Sequence, residues 1–387
     1  MRSSCIIYIY CGQLSLFSTL ALNAQSIINI SIVTGLPSVI SESSGLERTG
    51  TNCFWSHNDS GGQPELYNFD SSGTLLRTLL ISNATNVDWE ELTTDTAGNL
   101  YIGDFGNNNC NRQDLVIYKI INPDSVTGNS VTAEAIHFTY PDQYAFPPHP
   151  SLRNFDMESM ITVNDSLYLF TKNQTSPCNG YTKVYRLPLD SGTYVAQLVD
   201  SFLIGVGSTD GYSITGARIT RDYDTLLLIS HERIWIFSGF TGTRFFSGIS
   251  MEYLFSGSSS NKEGVCFGSG SNVYLSDEFT VTGTQNLYYI NLLGPMVGEQ
   301  LSEQVSTGHI SVYPNPFSDQ ITIRSTATGS STLKYELLDV TERTCLSGTM
   351  GIERGIDVAA LDCGVYLLLV NVEGKETQMI RLIKANK

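Results

Sequence analysis

Beyond its first two dozen residues the chain has no apolar run long enough to span a bilayer as a helix. Basic residues are scarce: 22 Lys and Arg stand against 38 Asp and Glu, for a net charge of −16. A nucleic-acid partner is therefore excluded, because its phosphates must be met by Lys and Arg. Reaction signatures are missing too. There is no Gly-x-Ser-x-Gly elbow, no phosphate-cradling loop, no His-Glu-x-x-His and no EF-hand spacing, which argues against serine-nucleophile and nucleotide chemistry. Without a Cys-x-x-Cys or Cys/His cluster, zinc has no motif. No long segment with a 3.6-residue apolar period lies outside the N-terminus, so the fold is not helical.

What remains points to β-structure. Hydrophobic residues make up 41% of the 387 and charged ones 16%, enough to bury a core. The 34 Gly, 20 Tyr and 17 Phe suit strands joined by tight turns. Arg2, the apolar stretch Ile6–Leu22 and Ala24-Gln25 read as a secretory signal of residues 1–24. The mature chain then enters an oxidising compartment and has no transmembrane span.

Residues 25–295 carry a weak fivefold repeat, each unit headed by a small or acidic residue. The heads are Ser44-Gly45-Leu46, Asp88–Leu92, Asp156–Met160, Ile214–Ala217 and Lys262–Val265. Two further aromatic and β-branched runs follow each head, such as Cys53–His57 and Glu65–Phe69 in the first unit. Consecutive meanders of this kind make an all-β, five-bladed β-propeller, or a six-bladed one if Ala133–Pro150 hides extra strands. A two-sheet sandwich is the alternative. The fifth unit lacks an outer strand, which Ile27–Val33 can supply. The polar stretch 296–308 reads as a linker to a second module at 309–387.

In a propeller the first strand of each blade lines the axis, and its loops gather residues distant in sequence. Glu90, Glu158 and Glu263 hold matching positions at three heads. Asp104 and Asp277 end second strands and complete a candidate metal set. Crowded carboxylates repel one another, and a bound cation removes that cost. Oxygen ligands favour Ca²⁺ ahead of Mg²⁺, while His57 and His231 leave a transition metal open and are the candidate proton handlers. Asp59, Asn107, Arg112, Lys172 and Glu232 lie on neighbouring loops as candidate ligand contacts. Trp55, Trp89 and Trp235 read as packing anchors, and Tyr140–Phe146 as part of a binding rim.

The Glu-led heads and Asp277 resemble the loose group of secreted propellers that includes SdiA-regulated, phytase-like esterase and gluconolactonase-type proteins. That resemblance implies an axial divalent cation and, in some members, ester hydrolysis. The fourth unit departs from it, with Thr215-Gly216 where an acid is expected.

The C-terminal module opens on Tyr313-Pro314-Asn315-Pro316-Phe317, continues through Gly364-Val365-Tyr366 and ends in a basic tail. It resembles the type A C-terminal sorting domain of the type IX secretion system of Bacteroidetes. The resemblance implies an Ig-like β-sandwich, passage through the periplasm and across the outer membrane, and a sortase that leaves the protein on the cell surface. Within it Cys345 and Cys363 are expected to pair. Cys110 and Cys178, in equivalent loops of adjacent units, are the other expected bridge. The reading that emerges is a surface-displayed binding module for a glycan, peptide or small molecule, with a cation near its axis. The alternative is a metal-dependent hydrolase of an ester, lactone or phosphoester.

Overall fold

A computed structural model describes residues 26–257, 260–269, 272–278 and 285–292. Toward the C-terminus it describes 310–313, 317, 319–325, 332–339, 343–351, 355–362, 364–372 and 378–384. The signal, residues 1–24, and the linker, 296–308, lie outside these. The chain divides into two compact units, Met1–Glu299 and Gln300–Lys387.

The first unit is a five-bladed propeller. Blade 1 is built from Ser43–Gly50, Cys53–Asn58, Glu65–Phe69 and Leu75–Ile81. Blade 2 uses Trp89–Thr94, Leu100–Asp104, Val116–Ile120 and Glu134–Thr139. Blade 3 comprises Asp156–Val163, Ser166–Lys172, Tyr181–Pro188 and Gln197–Leu203. In blade 4 the strands are Gly216–Ile219, Thr225–Ile229, Arg233–Ser238 and Ile249–Phe255. Blade 5 takes Lys262–Phe267, Asn272–Asp277 and Asn286–Asn291, with Ser31–Gly35 as its outer strand. Each inner strand packs on the next, and Lys262–Phe267 returns to Ser43–Gly50. The ring is thus closed with five blades. Ala133–Pro150 hides no sixth: its strand, Glu134–Thr139, is the outer strand of blade 2.

Closure differs in detail from the expected Ile27–Val33 strand. Ser31–Gly35 pairs antiparallel with the third strand of blade 5, whereas Ile27–Ile28 pairs parallel with the outer strand of blade 4. The N-terminal segment therefore ties two blades together. Ser130–Val131 and Gly192–Val195 add parallel fifth strands to blades 1 and 2 in the same way.

Alternation along each strand sends apolar side chains to both faces, so the core forms between blades. Trp55, Leu79 and Trp89 fill the blade 1–2 interface. Tyr101, Met157 and Tyr185 fill that of blades 2–3, and Phe170, Trp235 and Phe245 that of blades 3–4. Leu227, Ile236 and Leu275 lie between blades 4 and 5, and Leu46, Phe54 and Leu287 between 5 and 1. All three tryptophans are buried anchors.

The second unit pairs a three-stranded sheet (Ile310–Tyr313, Gln320–Ser325, Gly355–Asp357) with a four-stranded one. The latter contains Thr344–Gly351, Thr332–Asp339, Gly364–Val372 and Gln378–Lys384. Phe317 from the opening motif is buried against Ile321, Leu337, Tyr366 and Leu382. Lys384 Nζ lies over its ring at 5.5 Å and donates to the Val358 carbonyl. Tyr366 Oη donates to Asp362 O at 2.7 Å. Pro314, Asn315 and Pro316 lie outside the described residues. So do the side chain of Tyr313 and Cys363; Gly364 opens a strand.

Cys110 and Cys178, expected to pair, are both free, and so is Cys345, whose expected partner Cys363 lies outside the described residues. Cys110 is buried in the blade 2–3 core, while Cys178 sits half-buried in a loop wired by Asn173, Thr175 and Asn179. Equivalent positions in the repeat do not bring these two sulfurs together.

Candidate functional site

The inner strands carry β-bulges at matching places. Pairing with the second strand skips Ser44-Gly45 in blade 1, Glu90 in blade 2, Glu158 in blade 3 and Glu263 in blade 5. A bulge adds a residue to one strand and re-aims its side chain. Three glutamates are thus turned out of the sheet pattern at one end of the axis. Blade 4 begins later, at Gly216, where a Cβ would overlap the Glu263 carbonyl. Thr215 Oγ1 donates to Lys262 O at 2.8 Å. The position equivalent to the three glutamates is thus Thr215, whose short side chain is tied to blade 5, and the residue after it has no room for a side chain.

Loops at this end add further carboxylates. Oxygens of Asp59, Asp88 and Glu90 lie within 4.8 Å of one another. Ser44 Oγ donates to Glu90 Oε2 at 3.2 Å. Lys172 Nζ pairs with Glu158 Oε1 at 3.0 Å, and His231 Nε2 lies 3.6 Å from Glu263 Oε1. Glu158 Oε2 and Asp59 Oδ1 are buried without a hydrogen-bond partner. Gly106 borders the group, since a Cβ there would overlap Glu90 Oε1 and Asp88 Oδ2.

Burial and like charge shape the electrostatics. Burial, followed by the charges of Glu263 and Asp88, pushes Asp59 up to about 8. Burial and Asp156 push Asp88 up to about 6, and burial with Glu263 pushes Glu278 to about 7. Glu90 and Glu158 are held well above the usual carboxylate range, again chiefly by burial. Glu263 is the exception: burial opposes its ionisation, but His231 and Lys172 outweigh it and lower its pKa. Lys172 is raised well above its ordinary value, because Glu158 and Glu263 overcome the cost of its burial. The arrangement is an anionic mouth that favours protons or a cation.

Other residues singled out in the sequence are placed differently. Asp104 accepts from Arg112 Nη2 at 2.9 Å and from Asp88 N at 3.1 Å, so it braces the Asp88 loop. Arg112 also donates to Gly106 O and Asp114. Asn107 accepts from the backbone of Asn111 and Arg112, which holds its own loop. Asp277 accepts from Tyr288 Oη at 2.5 Å and from Asn286 N at 2.6 Å, away from the converging group. His57 is fully buried; its Nδ1 contacts Asn58 O, and its Nε2 faces Gly45, where a Cβ would meet it at 2.7 Å. Burial holds that ring down at about 4. Glu232 is half-buried beside Gly211.

Sequence reasoning placed Asp88 at a blade head and Glu278 at a second-strand end, but counted neither among the metal candidates. It also gave no place to a buried network further along the axis. Arg218 of blade 4 donates to Glu47 Oε2 at 2.8 Å and to the carbonyls of Leu46, Leu92 and Val265. Its Nη2 lies 3.8 Å from Glu91 Oε1. One guanidinium thereby joins blades 1, 2, 4 and 5 across the axis.

Residues 311–385 match the model of the secretion system C-terminal sorting domain. No curated protein sequence matches the chain. Solved structures similar to it include the extracellular domain of a one-component system from B. thetaiotaomicron, at 9% identity and TM-score 0.32 over 93% of this chain and 59% of that one. The chain thus spans about three fifths of that protein's resolved length. A protein from Lactobacillus plantarum is 12% identical, with TM-score 0.32 over 83% and 89% of the two chains. The PQQ domain of a pyranose dehydrogenase from Coprinopsis cinerea is 8% identical, with TM-score 0.36 over 68% and 95%. The closed ring of five sheets defines the propeller without these likenesses. The C-terminal domain marks the protein for type IX secretion to the cell surface or beyond, and implies contact with that machinery. Among the described residues no helix is long and apolar enough to cross a membrane.

Proposed function

We propose that this exported propeller is a binding module that holds a divalent cation at its axial mouth and uses it to engage an oxygen-bearing ligand. Asp59, Asp88 and Glu90 would hold the ion, with Ca²⁺ favoured over Mg²⁺ because carboxylates on separate loops suit a larger, more flexible shell. Glu158 and Glu263 add negative charge from the far side and are themselves restrained by Lys172 and His231. The observation that carries this reading is the approach of three carboxylates to within 4.8 Å beside the buried, unpartnered Glu158 Oε2. Arranging such groups without a counter-charge costs folding energy, and a cation returns it.

Isothermal titration of the mature chain with CaCl₂ tests the reading, alongside E90Q and D59N. One Ca²⁺ per chain is expected, with affinity lowered at least tenfold in either variant. Absence of binding heat at millimolar Ca²⁺, or identical affinity in both variants, would overturn it.

A further inference from the structure

The mouth is not symmetric. Loops on its blade 3 side are stitched together by backbone bonds. Ser176 N donates to Pro150 O, Gln174 N to Arg153 O, and Ile204 N to Gly180 O. Asn154 Nδ2 donates to Tyr181 O at 2.8 Å. On this platform Leu152 is 62% exposed, Tyr181 43%, Leu203 49% and Val206 67%. Tyr144 and Phe146 stand exposed on the same connection as Leu152. Exposed apolar side chains occur singly on most proteins, but a joined group beside a polar centre marks a binding surface.

The platform is continuous with the anionic mouth. Lys172 pairs with Glu158, and two residues on Gln174 Nε2 donates to Asp156 Oδ2 at 2.7 Å. The same segment then reaches the platform through Gln174 N and Ser176 N. A ligand seated at the mouth therefore has an apolar shelf on one side of it.

We infer that the ligand is a single soluble amphiphile: an anionic oxygen head, such as a carboxylate, bound at the mouth through the cation, and an apolar body laid over Leu152, Tyr181, Leu203 and Val206. This rests on the cation reading above. The head must be anionic or oxygen-rich because a hard cation held by carboxylates selects oxygen donors. The body must be apolar because the shelf offers aliphatic and aromatic surface. A single molecule is favoured over a bilayer, because Glu90, Glu158 and Glu263 are each under 7% exposed and the shelf lies to one side. A flat headgroup layer cannot reach the recessed acids while resting on such a shelf.

The test compares octanoate with acetate by calorimetry on the full mature chain in 1 mM CaCl₂. Octanoate is expected to bind at least tenfold more tightly than acetate, and EGTA to abolish both. The surface variants L152S and V206S should bring octanoate toward acetate and leave the Ca²⁺ isotherm unchanged. Equal affinity for the two acids with Ca²⁺ bound would overturn the inference and spare the cation reading. So would octanoate binding untouched by both variants, or calcium-dependent sedimentation with anionic vesicles in preference to free octanoate. Loss of the Ca²⁺ isotherm in wild type would overturn both.

Discussion

Replacing Lys172 with methionine keeps the side chain's length and removes the positive charge beside Glu158. Lys172 Nζ lies 3.0 Å from Glu158 Oε1, and the second oxygen of that carboxylate is buried without a partner. Breaking a buried ion pair from one side costs about 3–5 kcal/mol. In a domain of this size that is a fall in Tm of about 6–20 °C. Glu158 is already held well above the usual carboxylate range by burial, so taking up a proton relieves part of the loss and places the fall near the lower end. Cation affinity should move the other way. A unit charge a few ångströms off, at an effective dielectric near 20, is worth about 4 kcal/mol, and a third of that is about tenfold in Kd. K172M should therefore melt lower than wild type in EDTA yet bind Ca²⁺ about tenfold more tightly, by scanning fluorimetry and calorimetry at one pH. A variant that loses stability and binds Ca²⁺ no better would refute the placement of a cation among these carboxylates.

Stability without metal should fall as pH rises. Unfolded carboxyls ionise near pH 4, whereas in the fold Asp88 keeps its proton to about 6 and Asp59 to about 8. Between pH 4 and 8 the folded chain holds more protons, so Tm in EDTA should drop from pH 5 to 8 and Ca²⁺ should flatten the slope; a rising Tm in EDTA would contradict this. R218M should lower stability by about 3–5 kcal/mol, because it strands Glu47 and Glu91, while leaving Ca²⁺ affinity within about twofold; chemical denaturation and calorimetry separate the two. G216A should cost about 1–3 kcal/mol in urea denaturation and weaken Ca²⁺ binding, since the new methyl pushes on the Glu263 backbone. Deleting residues 311–385 should leave the propeller inside the cell envelope, as cell fractionation will show.

The blades were legible because each strand announces itself: Leu-Leu-Leu-Ile at 226–229 and Tyr-Leu-Phe at 168–170 can only be buried β runs. The YPNPF opening and Gly364-Val365-Tyr366 were legible as a module because their spacing is a motif. The acid heads were legible by position, yet the bulges that re-aim Glu90, Glu158 and Glu263 were not, since a bulge depends on the partner strand. For the same reason Asp104 and Asp277 looked equivalent to the heads: both end second strands, but Arg112 engages the one from a loop and Tyr288 the other from the neighbouring strand, and sequence fixes neither approach. Gly216 looked like a lost ligand and is instead a contact point between blades 4 and 5. The two cysteines shared a place in the repeat, but one turned inward to the core and the other stayed in its loop.

Crystals of the mature chain grown with Mn²⁺, or with Ca²⁺, put the cation centre to the most direct trial through anomalous difference density. A single strong peak bounded by Asp59, Asp88 and Glu90 is expected, at oxygen distances of about 2.1–2.6 Å. Density that stays flat there at saturating metal, with Lys172 Nζ or a protonated carboxyl filling the space, would contradict the account.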